Sequence, residues 1–238
     1  MNSILIIGGN SDIGYATGKV FAQNKYNIHL ASRNISNLKI KKGEIENLYG
    51  VDCKISFLDI ENKENINNFF NENLESPNII LIATGLLSDE NEDDNKILNV
   101  NYLCPAMLID KSIIKYKAQK KLNTIIGISS VAGDRGKKSS DIYSSSKSTF
   151  SSYLNQLRQK LRSNGIHVMT VKPGWVKTKM TKNLKLPKIM TADVNLVGNK
   201  IFNAYKNKKK ILYVPSYWSV IMFFYKMIPR ILFSIIKK

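Results

Sequence analysis

Tyr143 and Lys147 stand four residues apart in IYSSSKSTF, a spacing that sets both side chains on one face of a helix. A phenol beside an ammonium group is proton-transfer chemistry. An unperturbed tyrosine, with a pKa near ~10, exchanges its proton sluggishly at neutral pH. A cation within ~4–6 Å favours the phenolate and lowers that value by roughly 1–3 units. Ser130, thirteen residues upstream at the end of an apolar run, can donate its hydroxyl to the same developing oxyanion. Such a set can protonate an alkoxide as hydride reaches a carbonyl carbon, so the chain must also hold a hydride carrier.

A second stretch fits that requirement. Behind the apolar residues 4–7 the chain reads GGNSDIG, residues 8–14. A strand feeding a glycine-rich turn that opens a helix cradles phosphate on backbone N–H groups. Asp12 is the oddity, an acid where a phosphate should lie. An acid in the first turn of a helix interacts favourably with the helix dipole and can cap free N–H groups. The expectation is that its side chain points away while the main chain from Asn10 through Ser11 to Ile13 faces the cofactor. Some twenty residues on, the second apolar run ends in Ser32-Arg33 and not in an acid. An acid there would bond the ribose 2′-hydroxyl of NAD, whereas a cation accommodates the 2′-phosphate of NADP. Arg33 reads either as that contact or as an exposed surface arginine.

Around these residues, β-branched runs at 3–7, 28–31, 54–58, 79–83, 124–129, 167–172 and 211–214 alternate with helical stretches near 12–24, 35–48, 62–74, 95–117, 141–163 and 191–206. That alternation predicts an α/β fold, a doubly wound parallel sheet of about seven strands with helices on both faces. Ligands of such sheets bind beyond the carboxyl ends of the strands, at the switch point. At 238 residues, with 43% apolar content, one domain with a full core is expected. It covers residues 1–214, with 215–238 as an appended helical segment. Cys53 and Cys104 lack metal-ligand spacing and read as buried apolar groups in a reducing compartment. His29 and His167 fall inside strands, as core residues do, so no metal site is expected. MNSILIIGG lacks the features of a signal peptide, which points to a cytoplasmic protein.

The loop Gly8-x-x-x-Asp12-x-Gly14 is similar to the G-x-x-x-G-x-G loop of the short-chain dehydrogenase/reductase family, a branch of which carries D-I-G at this point. Residues 128–147, ISSVAGDRGKKSSDIYSSSK, match the family's serine–tyrosine interval and its Tyr-x-x-x-Lys pair. Asn101, in NVNYLCPAML, matches the asparagine that completes the family tetrad. The resemblance spans residues 1–214 and implies a Rossmann-type fold and NADP(H)-dependent carbonyl chemistry. Tyr143 would be the proton donor, Lys147 would also bond the nicotinamide ribose, and Asn101 would hold a proton-relay water. PGWVKT, 173–178, resembles the P-G-x-x-x-T segment, in which Pro173 and Gly174 turn over the nicotinamide and Val176 and Thr178 contact it. Asp59 and Ile60 sit where the family touches adenine. At the end of the fourth strand the family's N-N-A-G reads Ile82-Ala83-Thr84-Gly85 here, leaving Ala83 and Gly85 as the cofactor contacts. Family habit implies a homo-oligomer.

The charge is lopsided. Residues 1–141 carry 17 basic and 17 acidic side chains, while 142–238 carry 19 basic ones and a single acid, Asp193, which leaves a net charge of +18. An anionic partner is implied. Nucleic acid is disfavoured, because the aromatics cluster in an apolar run instead of interleaving with the lysines. The segment KMTKNLKLPKIM, 179–190, occupies the place of the family's substrate loop and suits an amphiphilic or phosphorylated substrate. VPSYWSVIMFFYKMIPRILFSIIKK has an apolar run too short to span a bilayer. It reads as a helix in the interface of an anionic membrane, on its inner face, or as one that closes the pocket or joins a dimer. It looks most like the family branch that reduces keto-sugars carried on polyprenyl phosphate. The leading expectation is therefore an NADPH-dependent ketone reductase acting on a lipid-linked, envelope-glycan type of substrate. The alternatives are a 3-oxoacyl thioester reductase docking an acidic carrier protein and a non-catalytic NADP-binding regulator.

Overall fold

The computed structural model describes residues 2–73, 75–87, 93–135 and 141–229. Two stretches weighed above, 136–140 and the tail 230–238, lie outside the described residues.

Seven strands form one sheet in the order β3-β2-β1-β4-β5-β6-β7. They are β1 (Ser3–Ile7), β2 (Asn27–Ser32), β3 (Cys53–Phe57), β4 (Ile79–Ile82), β5 (Thr124–Ile128), β6 (His167–Pro173) and β7 (Ile211–Val214). Every neighbouring pair is parallel. The central strands are continuous apolar runs because helices cover both faces. Successive side chains of β1 therefore serve opposite layers: Ile4 and Ile6 join one core cluster, Leu5 and Ile7 the other. The first cluster is closed by α1 (Asp12–Gln23), α2 (Ile35–Tyr49) and α7 (Val194–Lys206), the second by α3 (Lys63–Glu72), α5 (Cys104–Tyr116) and α6 (Asp141–Lys160). Helices α1 and α7 meet closely at Gly198, where a Cβ would lie 2.8 Å from the carbonyl oxygen of Ala16. Cys53 and Cys104 are packed in the interior, where burial raises both thiols, while the half-buried His29 bonds Ser56 Oγ at 2.8 Å and desolvation lowers its pKa to about 3.

The chain runs outward from β1 to β3, then returns to place β4 on the other side of β1, so the switch point lies between β1 and β4. One feature departs from the sequence reading. The helix expected over 95–117 is α4 (Asp94–Leu98) and α5 joined by a π-helical turn, Asn99–Leu103. Such turns mark places where a side chain must be re-aimed, and this one carries Asn101. Helix α8 (Tyr217–Met227) is docked on the domain, one of the roles the sequence left open for this segment. Trp218 and Met222 are buried, and the Trp218 ring stands edge-on to Trp175 at 5.3 Å.

Candidate active site

The site assembles at the carboxyl ends of β1, β4, β5 and β6. After β1 the chain must turn sharply beneath β4. Gly8 does so at φ +88°, and a Cβ there would sit 2.7 Å from the Ala83 carbonyl oxygen. Ser11 caps α1 by accepting the Gly14 N–H at 3.0 Å. The cap is thus Ser11 and not Asp12. Asp12 does point away from the loop, but its carboxylate reaches a different segment and accepts the N–H of Lys179 at 2.6 Å. Asn10 donates to Ser32 Oγ at 3.2 Å and to the Asn34 carbonyl at 2.9 Å, while its own Oδ1 is buried without a partner.

After β5, Ser129 bonds the Lys147 carbonyl at 2.9 Å and Ser151 Oγ at 2.7 Å, fixing α6 against the sheet. The next turn lies on the backbone of Lys147, close enough that a Cβ at Gly133 would fall 2.6 Å from its carbonyl carbon. This approach brings Ser130, Tyr143 and Lys147 together. Lys147 is 3% exposed, and its Nζ lies 6.0 Å from the Tyr143 ring centroid and donates to the carbonyls of Ile128 at 3.3 Å and Thr84 at 3.4 Å. Burial lowers its pKa to about 8. Burial raises that of Tyr143, and the hydrogen bond with Ser130 draws it partly back. The downward pull from Lys147 expected from spacing alone is not among the causes of the shift; burial is the larger influence, and Tyr143 keeps its proton at neutral pH. That state suits a proton donor.

Asn101 is fully buried one step behind. Its amide accepts the Leu86 N–H at 2.9 Å and donates to the Leu86 carbonyl at 2.8 Å and to Ser146 Oγ at 3.1 Å. It pins the loop after β4 to α6, with Gly85 between it and the lysine: a Cβ at Gly85 would lie 3.4 Å from Lys147 Nζ and 3.5 Å from Asn101 Oδ1. Ser146 and Leu86 carried no signal in the sequence, since only the fold brings them to Asn101.

A cavity of about 290 Å³ joins these groups. Its walls include Asn10, Ser11, Asp12, Ile13, Ala83, Gly85, Ser130, Tyr143, Lys147, Pro173, Gly174, Val176 and Thr178, all expected from the sequence, Met180 and Thr181 of the expected substrate loop 179–190, and also Thr84, which was not singled out. A smaller cavity of about 220 Å³ continues past Gly8 to Ser32, Arg33, Ile60 and Glu61. Asp59 instead turns its carboxylate into its own loop, accepting the Glu61 N–H at 3.1 Å. Arg33 is 65% exposed in its side chain and faces Glu61, with Nη1 3.5 Å from Oε2. Gly14 serves the close approach, since a Cβ there would meet Ser11 Oγ at 2.6 Å and the Gly8 carbonyl at 2.8 Å.

Comparison with known proteins agrees with this arrangement. Residues 2–188 match the family described as short chain dehydrogenase. The chain belongs to that family. Members are oxidoreductases that use NAD(P), and the enzyme class follows from membership. Over 188 residues the dehydrogenase is 27% identical to a 3-oxoacyl-[acyl-carrier-protein] reductase of Bos taurus, covering 75% of this chain and 77% of that one. Over 189 residues it is 28% identical to carbonyl reductase family member 4 of Xenopus laevis, covering 76% and 78%. Among solved structures, a short-chain dehydrogenase from Sphingobium yanoikuyae in complex with NADPH superposes with a TM-score of 0.85 at 17% identity, over 100% of this chain and 97% of that one. A bulky-bulky ketone specific alcohol dehydrogenase from Comamonas testosteroni gives 0.83 at 19% identity, over 100% and 96%. At these identities the superpositions speak for the fold.

The segment after β6 closes the site. Gly174 donates to the Val214 carbonyl at 2.8 Å, and Trp218 lies on its bare α-carbon, where a Cβ would come within 1.9 Å of Nε1. The far end of α8 is held at Asp134, a carboxylate 2% exposed that bonds Lys172, accepts from Tyr213 OH at 2.6 Å and pairs with Lys226 at 3.1 Å. Burial works against its charge, but the hydrogen bonds from Lys172 and Tyr213 win and hold its pKa below the usual range. Neither Trp218 nor Asp134 was singled out in the sequence.

Proposed function

We propose that this dehydrogenase reduces a ketone to a secondary alcohol with NADP(H), on an amphiphilic substrate met at the inner face of a membrane. The observation that carries the reading is the convergence of Tyr143, Ser130 and a buried Lys147 on the cavity that the glycine loop opens into. The cation at Arg33 fits the phosphate of a phosphorylated ribose in the smaller cavity, and the orphan Oδ1 of Asn10, on the wall of the larger one, can accept from a ribose hydroxyl. When bound, the nicotinamide supplies hydride to the carbonyl carbon. Tyr143 gives its proton to the forming alkoxide, Ser130 donates to the same oxygen, and Lys147, held by the Ile128 and Thr84 carbonyls, keeps the phenol oriented and offers its ammonium to a ribose hydroxyl.

The membrane part of the reading rests on α8. Its inner side is buried through Trp218 and Met222, while Val220, Phe223, Phe224 and Met227 are 57–66% exposed. At 11 residues it is too short to span a bilayer. An exposed aromatic and aliphatic face of this kind suits a membrane interface. The protein should co-sediment with vesicles containing phosphatidylglycerol, and replacing Phe223 and Phe224 by serine should release it.

A second reading, reduction of a 3-oxoacyl thioester, is favoured by the names of the relatives. Tritium transfer from labelled NADPH into a cell extract separates the two. Label in the lipid fraction supports the first, and label on a carrier protein the second. Tyr143→Phe should lose at least a thousandfold in turnover with NADPH affinity within about threefold; retained turnover would sink the assignment.

A further inference from the structure

Lys182 and Lys188 of the 179–190 loop line a cavity other than the catalytic one. A cavity of about 860 Å³ lies between this loop, α1 and the start of α7. It shares only Asp12, Thr178, Lys179 and Thr181 with the catalytic cavity, so those residues are the partition between the two. Lys182, Leu184, Leu186 and Lys188 belong to the outer cavity alone.

Its lining is two-sided. Leu184, Leu186, Val194 and the alanines of α1 and α7's approach form an apolar wall, and Lys19, Lys177, Lys179, Lys182 and Lys188 supply the charge. Both acids on its rim are already engaged by backbone: Asp12 accepts from Lys179 and Asp193 from Asn195 at 2.8 Å. Lys19 pairs with Glu44 at 3.6 Å. Among the described residues, the other four lysines have no acid within salt-bridge distance. A further cation, Lys41, is held behind Tyr15 with its Nζ 4.4 Å from the ring centroid, where repulsion from Lys179 adds to burial in lowering its pKa to about 8. Like charges gathered around an apolar wall repel one another until an anion joins them. The set is all lysine, compact point charges of the kind that bind phosphate.

We propose that this outer cavity is a binding site for an organic phosphate with an apolar chain, distinct from the place where the ketone meets Tyr143. The inference does not depend on which ketone is reduced. A soluble ester or a lipid headgroup could present the same chemistry.

The test is calorimetric titration of the NADPH-saturated protein with decyl phosphate, kept below its micelle concentration. Decanol and inorganic phosphate serve as controls. Decyl phosphate should bind at one site per chain, and decanol should not bind. Lys182→Gln combined with Lys188→Gln should weaken decyl phosphate at least tenfold. Leu184→Asn should weaken decyl phosphate several-fold but leave inorganic phosphate unchanged. NADPH affinity and the melting temperature should stay at their wild-type values in all variants. Lysine-dependent capture by vesicles of phosphatidylcholine with phosphatidic acid would support a lipid source; decyl phosphate binding without such capture would support a soluble one. Equal decyl phosphate affinity in wild type and the double-lysine variant, or equal affinity for decanol, would overturn the proposal.

Discussion

Asp134→Ala is the sharpest test of how the site is braced. The carboxylate is 2% exposed and faces Lys172, whose side chain is 9% exposed, on the adjoining strand β6. Removing the acid leaves the Lys172 ammonium buried without its counter-charge, a change that costs about 3–5 kcal/mol in comparable buried pairs. Lys226, 44% exposed, contributes at most ~1 kcal/mol of that, because solvent screens it. For a chain of this size each kcal/mol moves Tm by roughly 2–4 °C, so the variant should melt roughly 6–20 °C lower by scanning calorimetry. Lys226→Ala should stay within ~4 °C of wild type on the same scale. The double change Asp134→Ala with Lys172→Met should recover most of the loss, since no buried charge remains. The effect has a defined pH window. The folded pKa of Asp134 is depressed, so its contribution is complete above the ordinary carboxylate value of ~3.9 and fades as pH falls through the lower folded value. The gap between wild type and variant should therefore be full at pH 7 and close in strong acid. A shift of under 2 °C for the single variant, or a double variant no better than the single, would refute the reasoning.

Two further outcomes bear on the site itself. If Arg33 holds the 2′-phosphate, Arg33→Ala should weaken NADPH by roughly 10–100-fold, the worth of charged hydrogen bonds at about 1.5–3 kcal/mol, and leave NADH nearly unchanged. Glu61→Gln removes the carboxylate 3.5 Å from the same guanidinium and should tighten NADPH; equal NADPH affinity in both variants, read by fluorescence titration, would discard the assignment. Gly174→Ala should destabilise the protein by about 1–3 kcal/mol or more, because the new methyl overlaps the Trp218 ring. Adding Trp218→Ala should relieve that clash, and an unperturbed melt for Gly174→Ala would show that α8 is not seated on this turn.

The sheet and the reactive residues were legible in the sequence because both follow from short-range rules. Unbroken runs such as SILII and TIIGI announce buried parallel strands. The placing of Tyr143 and Lys147 on one face needs only helical periodicity, and the turn at Gly8 only the strand before it and the helix after it. What local rules could not supply are contacts that depend on distant segments. Asp12 was readable as turned away from phosphate, yet its partner, the Lys179 N–H, lies 167 residues away. Spacing placed a cation beside Tyr143 but could not weigh desolvation, which depends on what the whole domain packs over the pair and proved the larger influence on the phenol. The lysines of 179–190 were plain as composition, while only the fold shows that Lys182 and Lys188 line a cavity against α1, separate from the one that holds the tyrosine. The segment 215–238 left a membrane interface, pocket closure and a dimer contact open, because a helical pattern does not say what it docks on. The bare α-carbon of Gly174 and the buried charge of Asp134 decide that, and both exist as a docking surface only once β5, β6 and β7 lie side by side.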